Sequence, residues 1–164
     1  MNRRGFTLVE LLLTLMLTGI LFASAGILMT QGLRSYIVLS DRSVALQGVR
    51  YAVERMVREL DQVPESGIQN IQADQIGFID GLGNNADFNW NAQSQILYRG
   101  ADKLLERVSQ FGVTAYKSDG TTTSAAVQAR RVRLQLSCLP AGQTTPIRLE
   151  TEVYLKNYTY DNYL

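Results

Sequence analysis

Glu10 is the residue whose chemistry most needs an explanation. It stands directly before Leu11–Leu33, 23 consecutive positions without a charged side chain. A carboxylate in a membrane-crossing helix costs up to about 2.5–3.5 kcal/mol at the helix centre and less towards the interface, so such groups are partnered and functional by default. The positions four residues away on a helix are Phe6 and Thr14, and neither is basic. A cation for Glu10 must come from another molecule or from a newly made amino terminus. The rest of the chain offers little reactive chemistry. It has no histidine and a single cysteine, Cys138, which removes histidine bases, histidine-containing zinc sites and intrachain disulfides together. Asp80, Asn84, Asn85 and Asp87 carry the oxygens that calcium requires, but Asp80-Gly81-Leu82-Gly83-Asn84 does not follow the EF-hand order, and these are the ordinary residues of turns. Carboxylates alone can hydrolyse glycosides, yet no acidic pair stands in a pattern that marks a cleft. We expect no catalytic residue, no metal and no cofactor, and an enzyme is the class the sequence argues against.

These residues must be positioned by a chain of 164 residues with formal charge 16 − 15 = +1, enough for one domain and an appendage. Near-neutrality leaves no electrostatic footprint for nucleic acid. In Arg130-Arg131-Val132-Arg133 two of the arginines alternate with core positions on a strand and local acids offset them, so the run reads as a solvated face. At 46% hydrophobic and 19% charged residues the chain is too apolar for disorder, and the excess sits at the amino end. The Leu11–Leu33 run exceeds the roughly 20 residues that cross a bilayer as a helix. Arg3 and Arg4 precede it, whereas Arg34 and the mixed pair Asp41 and Arg42 follow it. The positive-inside rule then favours a cytoplasmic amino end and export of everything after Leu33. The rival is an ordinary secretory signal with Arg3 and Arg4 as its basic end, Leu11–Phe22 as its apolar centre and a cut at Ala23-Ser24-Ala25. Against it, Gly26-Ile27-Leu28-Met29 carries the apolar run past that cut, and Glu10 has no use in such a signal.

The order Arg3-Arg4-Gly5-Phe6-Thr7-Leu8-Val9-Glu10-Leu11-Leu12 resembles the class III signal of type IV prepilins and of type II secretion pseudopilins. The resemblance implies a leader of residues 1–5 with Arg3 and Arg4 as its basic residues, and a cut by prepilin peptidase between Gly5 and Phe6. It further implies N-methylation of Phe6 and an assembly role for Glu10, salt-bridged to a neighbouring subunit's amino terminus. The partners implied are prepilin peptidase, other minor pilins or pseudopilins, an inner-membrane assembly platform and membrane lipid. The implied location is the bacterial inner membrane, single-pass with a periplasmic carboxyl-terminal domain, and then the pilus or pseudopilus.

Beyond the apolar run, Leu46, Val49, Val53, Met56, Leu60 and Val63 recur at alternating intervals of three and four, which is a narrow apolar stripe on a helix. Glu54 with Arg58 and Arg55 with Glu59 stand four apart, the spacing of surface helical pairs. Pro64 and Gly67 stop the pattern. One helix is therefore predicted from Phe6 to Gln62, with residues 6–33 transmembrane and residues 34–63 amphipathic. In residues 64–164 the period changes to two. Val132, Leu134, Leu136 and Cys138 alternate with Arg131, Arg133, Gln135 and Ser137; Ile147, Leu149, Thr151, Val153 and Leu155 alternate with Arg148, Glu150, Glu152 and Lys156. With Pro140–Pro146 as their turn, these form an antiparallel hairpin. Shorter strands are predicted at Gln75–Ile79, Gln95–Arg99 and Gln110–Lys117, and loops at Asp80–Asn91 and Ser118–Ala125. Cys138, on the buried face of its strand, is expected to be an inert thiol, intermolecular pairing being its other use. Tyr158, Tyr160 and Tyr163 are either a contact surface or a final edge strand.

The expected fold class is α+β: a long amino-terminal helix packed by its second half on an antiparallel β-sheet, which also resembles the pilin architecture. Ile96–Arg99, Leu104–Arg107, Val108–Tyr116 and the closing hairpin most resemble minor J-type pseudopilins and W-type minor pilins. Many major pilins close a carboxyl-terminal loop with a disulfide, for which Cys138 has no partner. The function implied is a structural, assembly-initiating subunit of a type IV pilus or type II secretion pseudopilus. The alternative is a membrane-anchored or signal-peptide-bearing exported binding domain of unrelated fold.

Overall fold

The structure, a computed structural model, describes residues 7–64 and 67–155. Helix α1 runs Leu8–Asp61. Its end is dictated by Pro64, which has no N–H to donate and disfavours helix in the residue before it. The last turn tightens instead, with Gln62 N–H donating to Glu59 C=O and Val63 N–H to Leu60 C=O. Backbone contacts divide the chain into two units, one ending at Ser40 and one beginning at Asp41.

In the first unit every residue from Thr7 to Ser40 is exposed. Phe22 is 75% and Met29 70% accessible, far beyond what a water-facing helix presents. By length and composition α1 is able to cross a membrane. Within Leu11–Leu33 the hydroxyls need no outside partner: Thr14, Thr18, Ser24 and Thr30 donate back to the carbonyls of Leu11, Thr14, Ile20 and Ile27. Such self-satisfaction is what a low-dielectric surround demands.

In the second unit α1 buries Val49, Ala52, Met56 and Leu60. The predicted stripe is rotated slightly, because Leu46 and Val53 are only half-buried and the small Ala52 takes the centre. At Gly48 a side chain would begin 3.1 Å from Leu105 Cδ1, so small residues let the helix approach the strands closely.

The strands form two antiparallel sheets rather than the single sheet expected from sequence. The first is a meander in the order β1 (Ile68–Ile71), β2 (Gln75–Ile79), β3 (Asn85–Asn91), β4 (Ile96–Arg99) and β5 (Asp102–Leu105). The second has the order β7 (Thr122–Thr123), β6 (Val108–Tyr116), β8 (Arg131–Cys138) and β9 (Ile147–Tyr154). The predicted hairpin is β8–β9, in continuous register from Arg131 opposite Tyr154 to Cys138 opposite Ile147. The sheets are tied where the Trp90 indole donates to Val108 C=O at 3.1 Å and Val113 N–H to Ala73 C=O at 2.9 Å. One core cluster joins them to the second half of α1.

Part of the predicted Asp80–Asn91 loop is strand β3, and the reason is instructive. Ala86, Phe88 and Trp90 point inward at period two, but Asn85, Asp87, Asn89 and Asn91 alternate with them, and Asn and Asp are poor strand formers. Here those side chains pay no penalty, because they form a polar ladder. Gln75 and Asn89 carboxamides donate to Asp87 Oδ2, and Gln69 donates to Asn85 Oδ1. The predicted loop Ser118–Ala125 likewise contains the two-residue β7. Ser137, placed by period on the solvent face, is 6% exposed. The β6–β8 register shifts between Val108 and Gln110, and Ser109 donates to Ser137 C=O. β1 and β5 are four residues each, too short to show a period.

The outer face of the second sheet is a ladder of paired charges. Arg131 and Arg133 meet Glu152, Arg133 also meets Glu150, and the Arg131 guanidinium lies 4.6 Å from the centre of the Tyr116 ring. The arginine run is thus a self-satisfied sheet face, as its alternation implied.

Phe88 is completely buried and stacks on Phe78 with ring centres 5.2 Å apart. Phe88→Ala should destabilise the second unit by about 3–5 kcal/mol. Denaturant unfolding of the detergent-solubilised chain, followed by Trp90 fluorescence, measures this. A loss below about 1 kcal/mol would contradict the packing described.

Candidate functional site

Arg3, Arg4, Gly5 and Phe6 lie outside the described residues, as do Tyr158, Tyr160 and Tyr163. The described part of the site begins at Thr7. Thr7 Oγ1 accepts the Glu10 N–H at 3.3 Å, and Thr7 C=O accepts the N–H groups of Glu10 and Leu11. Thr7 is therefore the N-cap of α1, and Glu10 is the third residue of its first turn.

This arrangement carries a sequence signature, threonine followed three residues later by glutamate before an apolar run, which is that of a capping box. The spacing-based reading considered only partners four residues away and missed it. Two effects follow. The cap satisfies one orphan backbone donor, worth about 1 kcal/mol. The carboxylate also sits where the helix dipole favours negative charge, by about 0.3–1 kcal/mol at an exposed position. Among the described residues no cation contacts Glu10, which is exposed.

The other candidates are dispersed. Asp80 Oδ1 accepts the N–H groups of Leu82 and Asn84 at 2.9 and 2.8 Å, while its other oxygen faces Arg99 at 3.6 Å. These donors, the Asn84 N–H foremost, hold its carboxyl below the usual carboxylate range. Gly83, at φ +85°, supplies the left-handed turn that this loop needs. Asp87 lies along β3 and is engaged by Gln75 and Asn89. The four oxygen-bearing residues Asp80, Asn84, Asn85 and Asp87 thus serve a turn and a strand ladder.

A network that spacing did not suggest centres on Glu59. It bonds Arg55 at 3.0 Å on its own helix and Arg99 of β4 at 2.9 Å, and Arg99 continues to Asp80. The Glu59 hydrogen bond raises the Arg55 guanidinium further above its usual range. The network fastens the end of α1 to the first sheet. Only the Arg55–Glu59 link is local, so only that link was visible in the sequence.

Cys138 is buried, and its Sγ lies 3.6 Å from Glu106 C=O. Burial pushes its thiol up, partly opposed by Arg107. A thiol reagent should therefore label the native chain at least ~100-fold more slowly than the denatured chain, since the thiolate is the reactive form. Equal rates, read by mass, would place Cys138 at the surface.

The family model of the prokaryotic N-terminal methylation motif matches residues 1–26. It covers the residues before Thr7, the capped turn with Glu10 and the first part of the exposed helix. This motif implies a type IV pilin- or pseudopilin-like subunit, processed by prepilin peptidase and assembled with other pilins. Its family is structural rather than enzymatic. The architecture agrees: one long apolar amino-terminal helix packed against antiparallel sheets, an α+β pilin-like fold. No curated protein matches the chain.

Proposed function

We propose that this chain is a minor pilin or pseudopilin, a structural and assembly-initiating subunit of a type IV pilus or type II secretion pseudopilus. Prepilin peptidase removes residues 1–5 by cutting between Gly5 and Phe6, with Arg3 and Arg4 marking the cytoplasmic side, and Phe6 is then N-methylated. Residues 6–33 hold the chain in the bacterial inner membrane, residues 34–63 continue the helix amphipathically, and residues 64–164 form the periplasmic domain. Within the bilayer, Glu10 pairs with the new amino terminus of a neighbouring subunit, and the inner-membrane assembly platform is a further partner. The observation that carries this reading is the methylation motif at residues 1–26, running without a break into a helix whose apolar side chains are exposed as far as residue 40. The lone Cys138 supports a minor rather than a disulfide-closed major subunit.

The test is the intact mass of the membrane-extracted protein. The expected chain begins at Phe6 and carries one added methyl group. A chain beginning at Met1, or at Gly26 as a secretory-signal cut would leave it, would overturn the proposal.

A further inference from the structure

Four consecutive residues of α1 beyond the uncharged run, Tyr36, Ile37, Val38 and Leu39, are large, apolar and exposed, Tyr36 at 72% and Leu39 at 67%. At 3.6 residues per turn, four in succession cover the whole circumference of a helix. The next turn, Ser40-Asp41-Arg42-Ser43, is polar on every side. Helix α1 continues unbroken through both turns. An all-apolar turn abutting an all-polar one marks a change of surrounding medium, and the second unit begins at the same place, Asp41.

A protein partner is a poor cover for such a turn. A helix packed on protein turns one apolar stripe towards it, as Val49, Ala52, Met56 and Leu60 do farther along α1. A helix apolar on every side belongs in a core or in lipid. The core of this chain does not reach the turn: among the described residues, Ala45 is the first of α1 to pack against it.

Length favours lipid as well. Leu11–Leu33 spans about 35 Å at 1.5 Å per residue, which an ordinary tilt of about 20–30° fits to a hydrocarbon core of roughly 30 Å. Arg34–Leu39 adds about 9 Å, close to the roughly 5–8 Å depth of one polar headgroup layer. Arg34 does not end lipid contact, because a long cationic side chain lays its stem along apolar surface and carries its charge to the interface. Tyr36 has the amphipathic ring that collects at this depth.

We propose that Arg34–Leu39 lies in the headgroup layer of the leaflet remote from the amino terminus, so that phospholipid covers α1 as far as Leu39 and water begins at Ser40. The inference rests on the reading of α1 as a membrane anchor and extends the lipid contact beyond Leu33.

Single nitroxide labels on the full chain, in vesicles of phosphatidylethanolamine and phosphatidylglycerol, test it. Met16→Cys, Leu39→Cys and Gln47→Cys, all at exposed positions, are each made in a Cys138→Ala chain. Electron paramagnetic resonance then reads access of oxygen, which concentrates in lipid, and of a water-soluble nickel chelate. The label at Met16 should meet oxygen and almost no nickel. At Leu39 nickel access should be about threefold or more below that at Gln47, and oxygen access above it, as the headgroup depth requires. Ile37→Cys, nearly opposite Leu39 around the helix, should give the same pattern, since lipid covers every side. Equal nickel access at Leu39 and Gln47, with Met16 shielded, would place the turn in water and overturn the proposal. Low access of both reagents at Leu39 alone would assign a one-sided protein cover, which overturns it too. Nickel reaching Met16 as freely as Gln47 would overturn the anchor reading itself, and the proposal with it.

Discussion

The Glu10→Val chain is expected to insert and be cut normally, and then to fail to join other subunits. In the proposed processing, the cut after Gly5 would free an ammonium on Phe6. Within the bilayer that ammonium and a neighbouring subunit's carboxylate are each expensive alone and less so together. Attraction scales inversely with dielectric, so the contact matters far more in lipid than in water. Leaving one member of a buried pair without its partner costs about 3–5 kcal/mol, on the order of a hundredfold or more in a pairwise equilibrium. The pair also fixes the axial register between helices, because a displaced subunit leaves both charges unmatched. Glu10 has a second role in the structure, as the third residue of a turn capped by Thr7, and the two roles are separable. Glu10→Gln keeps a capping-box side chain but loses the charge. If the charge is what assembly reads, Gln should fail as Val does; if the cap is what matters, Gln should behave as Glu does. Co-purification of mature protein with partner pilins from the same membranes gives the answer. Undiminished incorporation of Glu10→Val would sink the assembly role.

Gly5→Leu should have the other large effect, an uncut precursor that remains in the membrane. Gly5 directly precedes the proposed scissile bond, and only a residue without a side chain fits where a protease pocket closes against the backbone. The downstream apolar run is unchanged, so insertion should proceed as before. The expected readout is a membrane fraction in which essentially all of the protein has the precursor mass. Normal mature mass in this variant would remove Gly5 from the recognition step. Because Gly5 precedes the first helical residue, Leu8, folding of the second unit should be untouched, and Trp90 fluorescence provides that control.

The long apolar helix, able to cross a membrane by length and composition, was legible in the sequence because that capacity is a composition rule: an uncharged run of sufficient length needs no tertiary context. The β8–β9 hairpin was legible because two strands carry a clean period-two alternation of apolar and charged residues, with arginines facing glutamates across them. The methylation motif at residues 1–26 was legible because local sequence is all that such a motif records. The rest depended on contacts between distant residues. β3 hides its inward alternation of Ala86, Phe88 and Trp90 behind asparagines and aspartates, whose strand cost is offset only when Gln69 and Gln75 are brought alongside. Arg99 reaches Glu59 across 40 residues of chain, so no window of sequence could have paired them. The partition of the strands into two sheets follows from which strands find each other around the second half of α1. Residue type and period determined the long apolar helix, the methylation motif and the closing hairpin. Long-range packing and polar satisfaction decided how the remaining strands divide, because the free energy that chooses among those pairings arises only when the partners are already in place.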